Sequence, residues 1–281
     1  MASGGGEVQD MEVDKRTESE ESTDDDVKEK REVPDGEVQN GEQPTDSETP
    51  VNLETIILDP EAEEVDLNHM RIGGIQGFEV LKKVQTMCLR QNLIKVIENL
   101  EQLVTLNELD LYDNQIRIIQ NLESLGQLQE LDSLFLGKNK ITKLQNMDTL
   151  TNLTVLSVQS NRLLKIEGLQ NLVNLRELYL SDNGIQVLEG LENNTKLTTL
   201  DVASNRIKRI QNIKHLTELQ EFWMNDNLVE NWADLEELSC AKSLQTVYLE
   251  RNPLQKDNQY RRKIMLALPS VRQIDATFVR F

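Results

Sequence analysis

Residues 106–125 read LNELDLYDNQIRIIQNLESL, and this stretch decides the fold. Before Asn114 the apolar residues Leu109 and Leu111 are two positions apart, a spacing typical of a strand whose side chains alternate between two faces. After Asn114 the apolar residues come at every third position, a spacing typical of a tight 3-10-like segment. The stretch therefore predicts a short strand, a turn at the asparagine and a returning segment.

The same pattern recurs along the chain. The turn asparagines are Asn92, Asn114, Asn139, Asn161, Asn183, Asn205, Asn227 and Asn252. Their spacing is 22 residues, with two intervals of 25, which is the period of a leucine-rich repeat. We expect one α/β solenoid with a parallel sheet on its concave side and 3-10 or short helical segments on its convex side. Each asparagine amide should bond backbone groups of its own turn and of a neighbouring repeat.

The two intervals of 25 residues differ in kind. Between Asn227 and Asn252 the extra residues lengthen the segment ADLEELSCAKS, which predicts a helical turn on the convex side. Between Asn114 and Asn139 the leucines instead continue at every third position through residues 125–134. Either the returning segment is longer there, or the chain is joined across a place from which repeats were removed. The sequence leaves both explanations open.

The N-terminal part of the chain is strongly acidic. Residues 1–64 hold 22 Asp and Glu against five Lys and Arg, so the remaining chain is nearly neutral although the whole carries a formal charge of -19. Residues 1–52 have few apolar residues to offset the entropy of ordering a backbone, and we expect them to be disordered. Acidic neighbours make Ser22 and Thr23 candidate phosphorylation sites, and a following proline does so for Thr49.

The remaining chain divides into three parts. Residues 53–83 form a degenerate first repeat with Met70 at the asparagine position, and residues 84–254 form the regular array. Residues 255–281 predict a C-terminal cap, in which Tyr260, Ile264 and Leu268 lie on one face of a helix. Terminal units of a solenoid depart from the pattern because they cover its open ends.

Nothing in the sequence indicates an enzyme. The chain has two histidines, no GxxxxGKS or GxGxxG loop and no Ser-His-Asp or Cys-His arrangement, so we expect no catalytic residue, no cofactor and no metal. Cys88 and Cys240 form no CxxC pair. The N-terminus lacks the apolar region of a signal peptide, and no apolar stretch is long enough to span a membrane, so we expect no membrane association.

Strand alternation identifies the side chains that point away from the core and onto the concave face. Five of them are aromatic: Tyr112, Phe135, Tyr179, Trp223 and Tyr248. Six are acidic, with Arg90 as the one base at matching positions: Glu108, Asp110, Glu177, Asp201, Glu221 and Glu250. Aromatic anchors among acids predict a protein-binding surface for a basic patch and disfavour nucleic acid. The alternative is that these aromatics only reflect strand propensity.

Several stretches resemble the short leucine-rich-repeat regulatory subunits of protein phosphatase 1. They are LYDNQI (111–116), LFLGKNKITKLQN (134–146), SVQSNRLLKIEGLQNLVNLRELYLS (157–181), ELQEFWMNDN (218–227), VYLERNPLQKD (247–257) and LPSVRQIDATFVRF (268–281). The resemblance covers residues 53–281. It implies a non-catalytic protein of nucleus and cytoplasm whose concave face binds the phosphatase catalytic subunit and regulates its activity.

The resemblance also implies contact residues. Family contact positions fall on Phe135, Asp201, Glu221, Trp223 and Tyr248, and strand alternation adds Tyr179. Trp232 falls where other repeats place Ile or Leu, so we assign it to the core. The family has more repeats than this chain, which is expected to lack about three of them at the junction between residues 125 and 134.

Two other functions fit a leucine-rich solenoid with an acidic segment. One is a histone-binding chaperone, in which residues 1–50 would carry the affinity. The other is a passive scaffold, in which concave substitutions would have no effect. Loss of binding on deleting residues 1–50 would favour the chaperone.

Overall fold

A computed structural model describes residues 10–13, 54–127 and 131–279. Its main element is an 11-stranded sheet in which the strand order follows the chain order. Its strands run parallel to one another except for the last, which runs antiparallel to its neighbour. This is the predicted leucine-rich-repeat solenoid.

The strands of this sheet are short because each repeat supplies one brief crossing of the concave side. They are β3 Glu64–Asp66, β4 Thr86–Cys88, β5 Glu108–Asp110, β6 Ser133–Phe135, β7 Val155–Ser157, β8 Glu177–Tyr179, β9 Thr199–Asp201, β10 Glu221–Trp223, β11 Thr246–Tyr248, β12 Gln273–Ile274 and β13 Thr277–Phe278. A separate antiparallel pair joins β1 Asp10–Val13 to β2 Glu54–Ile57. In every strand from β3 to β11 the middle residue is buried, which confirms the predicted alternation.

The helical elements lie in the returning segments. Helix α1 is Glu123–Gln127 and helix α2 is Tyr260–Ala267. The 3-10 segments are Phe78–Val80, Trp232–Leu238 and Pro253–Lys256. The segment Trp232–Leu238 lies in the second long interval, as predicted.

The turn asparagines satisfy buried backbone groups in two repeats at once. The amide nitrogen of Asn114 donates to the carbonyl of Leu111 at 3.1 Å and to that of Leu89, in the preceding repeat, at 2.9 Å. Its amide oxygen accepts the backbone N–H of Ile94 at 3.0 Å. The other turn asparagines form the equivalent hydrogen bonds; they are Asn92, Asn139, Asn161, Asn183, Asn205, Asn227 and Asn252. The amides therefore connect consecutive repeats through groups that water does not reach.

A second turn, seven residues after six of the eight asparagines, was not predicted. Asn99, Asn121, Asn146 and Asn212 occupy it with φ between 57° and 60°, and each donates to a carbonyl of the preceding repeat at 2.6 to 2.8 Å. Asparagine tolerates the left-handed conformation better than most residues. Gly168 takes the same place with φ 70°, and a Cβ there would lie 2.4 Å from the carbonyl oxygen of Leu144. In the sequence, this turn could have been found from an Asn or Gly that recurs before an apolar Leu, Met or Ile.

The first long interval is bridged without a break in the sheet. Glu108 and Asp110 of β5 pair in register with Ser133 and Phe135 of β6. Asn139 reaches across the interval to the carbonyl of Leu111 at 3.0 Å. Helix α1 lies within this interval and residues 128–130 are outside the described part. A longer returning segment therefore accounts for the geometry, and the absence of about three repeats remains a proposal.

The C-terminal cap forms as the helical pattern predicts. Tyr260, Ile264 and Leu268 are buried, and Asp275 takes the place of a turn asparagine by accepting the backbone N–H groups of Leu249 and Glu250. The strands β12 and β13 extend the sheet beyond β11, which the sequence did not predict.

Trp232 departs from its predicted place in the core. It is half-buried and packs against the core at the cap boundary, with its ring 6.2 Å from that of Tyr260 and 5.0 Å from the amine of Lys263. The cause is that Trp232 begins the 3-10 segment, so its ring points toward the cap helix.

The acidic N-terminal segment is described only at Asp10–Val13. These four residues pair with β2, which supplies partners for their backbone groups, so the expected disorder of residues 1–52 does not hold for them. The candidate phosphorylation sites Ser22, Thr23 and Thr49 lie outside the described residues.

Candidate functional site

Five of the six predicted contact residues lie in one row across the concave face. Strand pairing aligns Phe135, Ser157, Tyr179, Asp201, Trp223 and Tyr248, which we call the concave row. Neighbouring strands are about 4.8 Å apart, so consecutive members of the row are in side-chain contact distance. The sixth residue, Glu221, lies two positions before Trp223, in the adjacent row beside Thr199 and Thr246.

The C-terminal end of the row is an aromatic pair. The ring centroids of Trp223 and Tyr248 are 5.4 Å apart with an interplanar angle of 46°. The hydroxyl of Tyr248 accepts a hydrogen bond from the side chain of Gln273 at 2.9 Å. The indole N–H of Trp223 is buried and has no acceptor in the described part of the chain. A buried donor without an acceptor costs free energy, which an oxygen atom of a bound partner could recover.

Tyr179 is fixed by the acid two residues before it. Its hydroxyl donates to the Glu177 carboxylate at 2.7 Å. Burial raises the pKa of Tyr179, and the Glu177 hydrogen bond and the charges of Glu177, Glu221 and Asp201 raise it further. The hydroxyl therefore stays protonated, and a half-buried ring lies among three carboxylates.

The side chain of Asp201 is less exposed on the concave face than the sequence suggested. Only 6% of the residue is exposed, because Tyr179 and Trp223 stand on the two strands beside it. Burial raises its pKa, and hydrogen bonds from the Ala203 backbone N–H, at 3.0 Å, and from Ser181 oppose that rise. Asp201 can present little more than a carboxylate edge to a partner.

Phe135 stands apart from the other aromatics of the row. It is half-buried on β6, with Ser157 on one side and Asp110 on the other. The small side chain of Ser157 lies between Phe135 and Tyr179 in the row, so the two rings are separated by one intervening strand. The structure therefore brings Tyr179, Asp201, Glu221, Trp223 and Tyr248 together and places Phe135 at the edge of this group.

A second cluster lies next to Phe135. Strand alternation had placed its three residues on the concave face, but their clustering was not predicted. The guanidinium of Arg90 is 2.9 Å from the carboxylate of Asp110 and 4.8 Å from the ring centroid of Tyr112. Gly137 makes room for that ring, since a Cβ there would lie 2.8 Å from a Tyr112 ring carbon. Burial raises the pKa of Asp110 although the Tyr112 backbone N–H and Arg90 favour its charged form. In the sequence, this cluster could have been found from a base and an aromatic at matching positions of adjacent repeats, with an acid two residues before the aromatic.

The comparisons with known proteins agree with this architecture. A leucine-rich-repeat family model matches residues 173–281. Protein phosphatase 1 regulatory subunit 7 of Xenopus tropicalis is 67% identical over 339 positions, covering 98% of each chain. The chain belongs to this family of regulatory subunits. The human protein of the same name is 61% identical over 345 positions, covering 96% of each chain.

A solved leucine-rich-repeat protein of Leptospira interrogans shares the fold. It is 24% identical, with a TM-score of 0.57, and the match covers 74% of this chain and 59% of that one.

The alignments with the Xenopus tropicalis and human regulatory subunits are longer than this chain. They exceed its 281 residues by 58 and 64 positions, so both relatives contain positions without a counterpart here.

Residues 10–13, 54–127 and 131–279 contain neither a metal-binding cluster nor a membrane-spanning helix. No group of three or more His, Cys, Asp or Glu is arranged to hold a metal ion. No helix in these ranges is long and apolar enough to cross a membrane.

Proposed function

We propose that the chain is a non-catalytic regulatory subunit that binds the catalytic subunit of protein phosphatase 1 through its concave face and regulates its activity. Membership in a family with this name supports the partner. The observation that carries the site is the concave row, where Trp223 and Tyr248 form an aromatic pair beside Glu221. Nucleus and cytoplasm are the proposed locations, on the family resemblance alone.

The chemistry of the row favours a partner with a basic patch. Glu177, Asp201 and Glu221 place three carboxylates around Tyr179, close enough for each to raise its pKa. A lysine or arginine of the partner would relieve the repulsion among these acids. The aromatic rings supply apolar area that is already half-buried. Hydrogen bonds hold two of them, Tyr179 to Glu177 and Tyr248 to Gln273, so these two lose little side-chain entropy on binding.

We also propose that this chain has fewer repeats than its relatives because about three are missing between residues 125 and 134. The excess of 58 and 64 alignment positions is close to three repeats of 22 residues. The 25-residue interval supports this location. Contacts that relatives make through those repeats would be missing, so we expect weaker phosphatase binding.

The test is capture of the purified phosphatase catalytic subunit by the full chain and by single variants. Trp223→Ala should weaken binding by about 2 kcal/mol or more if this residue is a central anchor. Glu221→Ala should weaken binding and reduce its dependence on salt. Phe278→Ala, an aromatic that is 71% exposed on the cap, and Glu230→Ala, an exposed acid outside the row, are the matched controls. Undiminished capture by both concave variants would remove the proposed site.

A further inference from the structure

A second surface of the solenoid has the opposite charge to the concave row. It consists of the first, third and fourth residues after the six asparagines from Asn92 to Asn205. Its nine Lys and Arg are Lys95, Arg117, Lys140, Lys143, Arg162, Lys165, Arg206, Lys208 and Arg209, and we call them the basic ridge. None of the 18 positions holds an Asp or Glu. The repeat after Asn183 contributes no cation, since its three positions hold Gly184, Gln186 and Val187. A band of positions with nine cations and no acid is nevertheless unexpected in a chain of net charge -19.

The solenoid leaves much of this charge uncompensated. Arg209 is held by two hydrogen bonds from its Nε to the carboxylate of Asp234, at 2.9 and 2.8 Å, and one from its Nη2 at 2.7 Å. By contrast, the described residues place no carboxylate within ion-pair distance of Lys143, Lys165 or Lys208, which are all exposed. Cations from five of the six repeats therefore stand in one band whose own positions hold no acid.

Exposed apolar side chains lie within the same band. Val96, Ile118, Leu164 and Val187 are exposed by 41%, 52%, 62% and 38%. A cleft between the first two repeats of the ridge is lined by Val96 and Ile118 together with Lys95, Arg117 and Lys140. The ridge thus offers apolar contact between its charges, which suits a polypeptide with acids and occasional apolar residues.

We infer that the basic ridge is the docking surface for the acidic N-terminal segment of the same chain, residues 14–53. Residues 1–53 carry 17 Asp and Glu against five Lys and Arg. Within them, residues 18–26 hold six acids and no base. The segment is thus complementary in charge to the ridge.

The geometry of attachment allows this contact. The segment joins the solenoid at β2, and β1 returns to the same strand, so residues 14–53 are attached at both of their ends to the N-terminal edge. An extended chain spans about 3.3 Å per residue, so 40 residues held at both ends can reach roughly 65 Å away. The ridge extends over five strand spacings, about 24 Å along the sheet. Because the segment is tethered, its effective concentration at the ridge is about millimolar, above that of a free competitor.

The test is zero-length cross-linking of lysine amines to carboxylates in the full chain, read by mass spectrometry. We expect cross-links from Lys143, Lys165 and Lys208 to residues 14–53, falling about fivefold between about 0.05 M and about 0.5 M salt as charges are screened. Lys196 and Lys242 are internal controls, since they are also exposed but precede their strands and lie on the opposite edge. These two should form few cross-links to the segment.

Two sets of variants separate charge pairing from incidental proximity. Lys143→Glu, Lys165→Glu and Lys208→Glu together should abolish the remaining ridge cross-links, from Lys95 and Lys140. Lys196→Glu with Lys242→Glu should leave those cross-links unchanged. If the triple variant folds poorly, a second variant leaves the solenoid unchanged and carries Asp24→Asn, Asp25→Asn and Asp26→Asn. Its acidic segment is less strongly attracted to the ridge, so cross-linking to the ridge should fall by about half or more.

Other results would overturn the inference. Equal cross-linking of the segment to Lys196 and Lys242 would show that it has no preferred surface. Cross-links joining isotope-labelled to unlabelled molecules would show contact between two copies. Displacement of the segment by a single-stranded RNA probe at equimolar concentration would assign the ridge to nucleic acid. The inference does not depend on phosphatase binding, and each can fail without the other.

Discussion

The indole of Trp223 and the phenol of Tyr248 lie on adjacent strands with their centroids 5.4 Å apart, and the phenol accepts a hydrogen bond from Gln273. The indole N–H is buried and has no acceptor among the residues that the structure describes. We therefore predict that Trp223→Phe, which keeps an aromatic ring but removes this donor, weakens phosphatase binding by about 1 kcal/mol. The measurement is the dissociation constant by calorimetry. The loss should be smaller than that for Trp223→Ala, and equal losses for both variants would mean that the N–H plays no part.

The strand alternation of β8 gives a paired prediction on stability. Leu178 is fully buried, whereas Tyr179 beside it is half-buried on the concave face. Leu178→Ala should lower the free energy of unfolding by about 2 to 5 kcal/mol because it leaves a cavity. Tyr179→Ala should cost much less stability but weaken partner binding. Denaturant unfolding of both variants provides the comparison, and similar shifts would contradict the assignment of faces.

The asparagine turns should be among the most sensitive polar positions. Asn205 donates to the carbonyls of Leu180, Val202 and Ala203 at 3.0 to 3.1 Å and accepts the Ile185 N–H at 3.0 Å. Asn205→Ala leaves these buried groups without partners, so we expect a loss of about 2 kcal/mol or more in unfolding free energy.

The control for this substitution is Asn171→Ala. Asn171 is exposed, and its amide lies 3.4 Å from Asp148. Its replacement should change stability by less than about 0.5 kcal/mol. A comparable loss at both positions would show that the turn amides have no special role.

Asp201 predicts a pH dependence of stability. Burial raises the pKa of Asp201 in the folded state above its ordinary value of 3.8. At a pH between these two pKa values, the Asp201 carboxyl keeps its proton in the folded protein but loses it in the unfolded chain. The free energy of unfolding therefore falls as pH rises through that window. Asp201→Asn should stabilise the protein at neutral pH, and this gain should vanish below pH 3.8.

Thermal unfolding across the pH range measures this effect. Glu230→Gln, which neutralises an exposed acid, should leave the profile nearly unchanged. If Asp201→Asn lowers the unfolding temperature at neutral pH, the carboxylate stabilises the fold through its hydrogen bonds from Ala203 and Ser181 more than burial destabilises it. We also expect Asp201→Asn to weaken phosphatase binding, because it removes the one charged residue of the concave row.

The sequence by itself determined the repeat, its register and the faces of its strands. Spacings of two and three around Asn114 depend only on how strand and 3-10 geometry place successive side chains, so Leu109 and Ile116 were assigned to the core correctly. The role of the asparagines followed for a similar reason, since a buried turn must satisfy its backbone groups locally.

Tertiary structure alone decided features that depend on which residues become neighbours. Asp201 is 6% exposed because strand pairing places it between Tyr179 and Trp223. The position of an acid within its own repeat does not show whether residues of the two neighbouring strands will bury it. For the same reason Trp232 is half-buried between the edge of the core and the cap helix, and is not fully buried as predicted. The basic ridge likewise exists only because stacking brings together cations that lie about 22 residues apart in the chain.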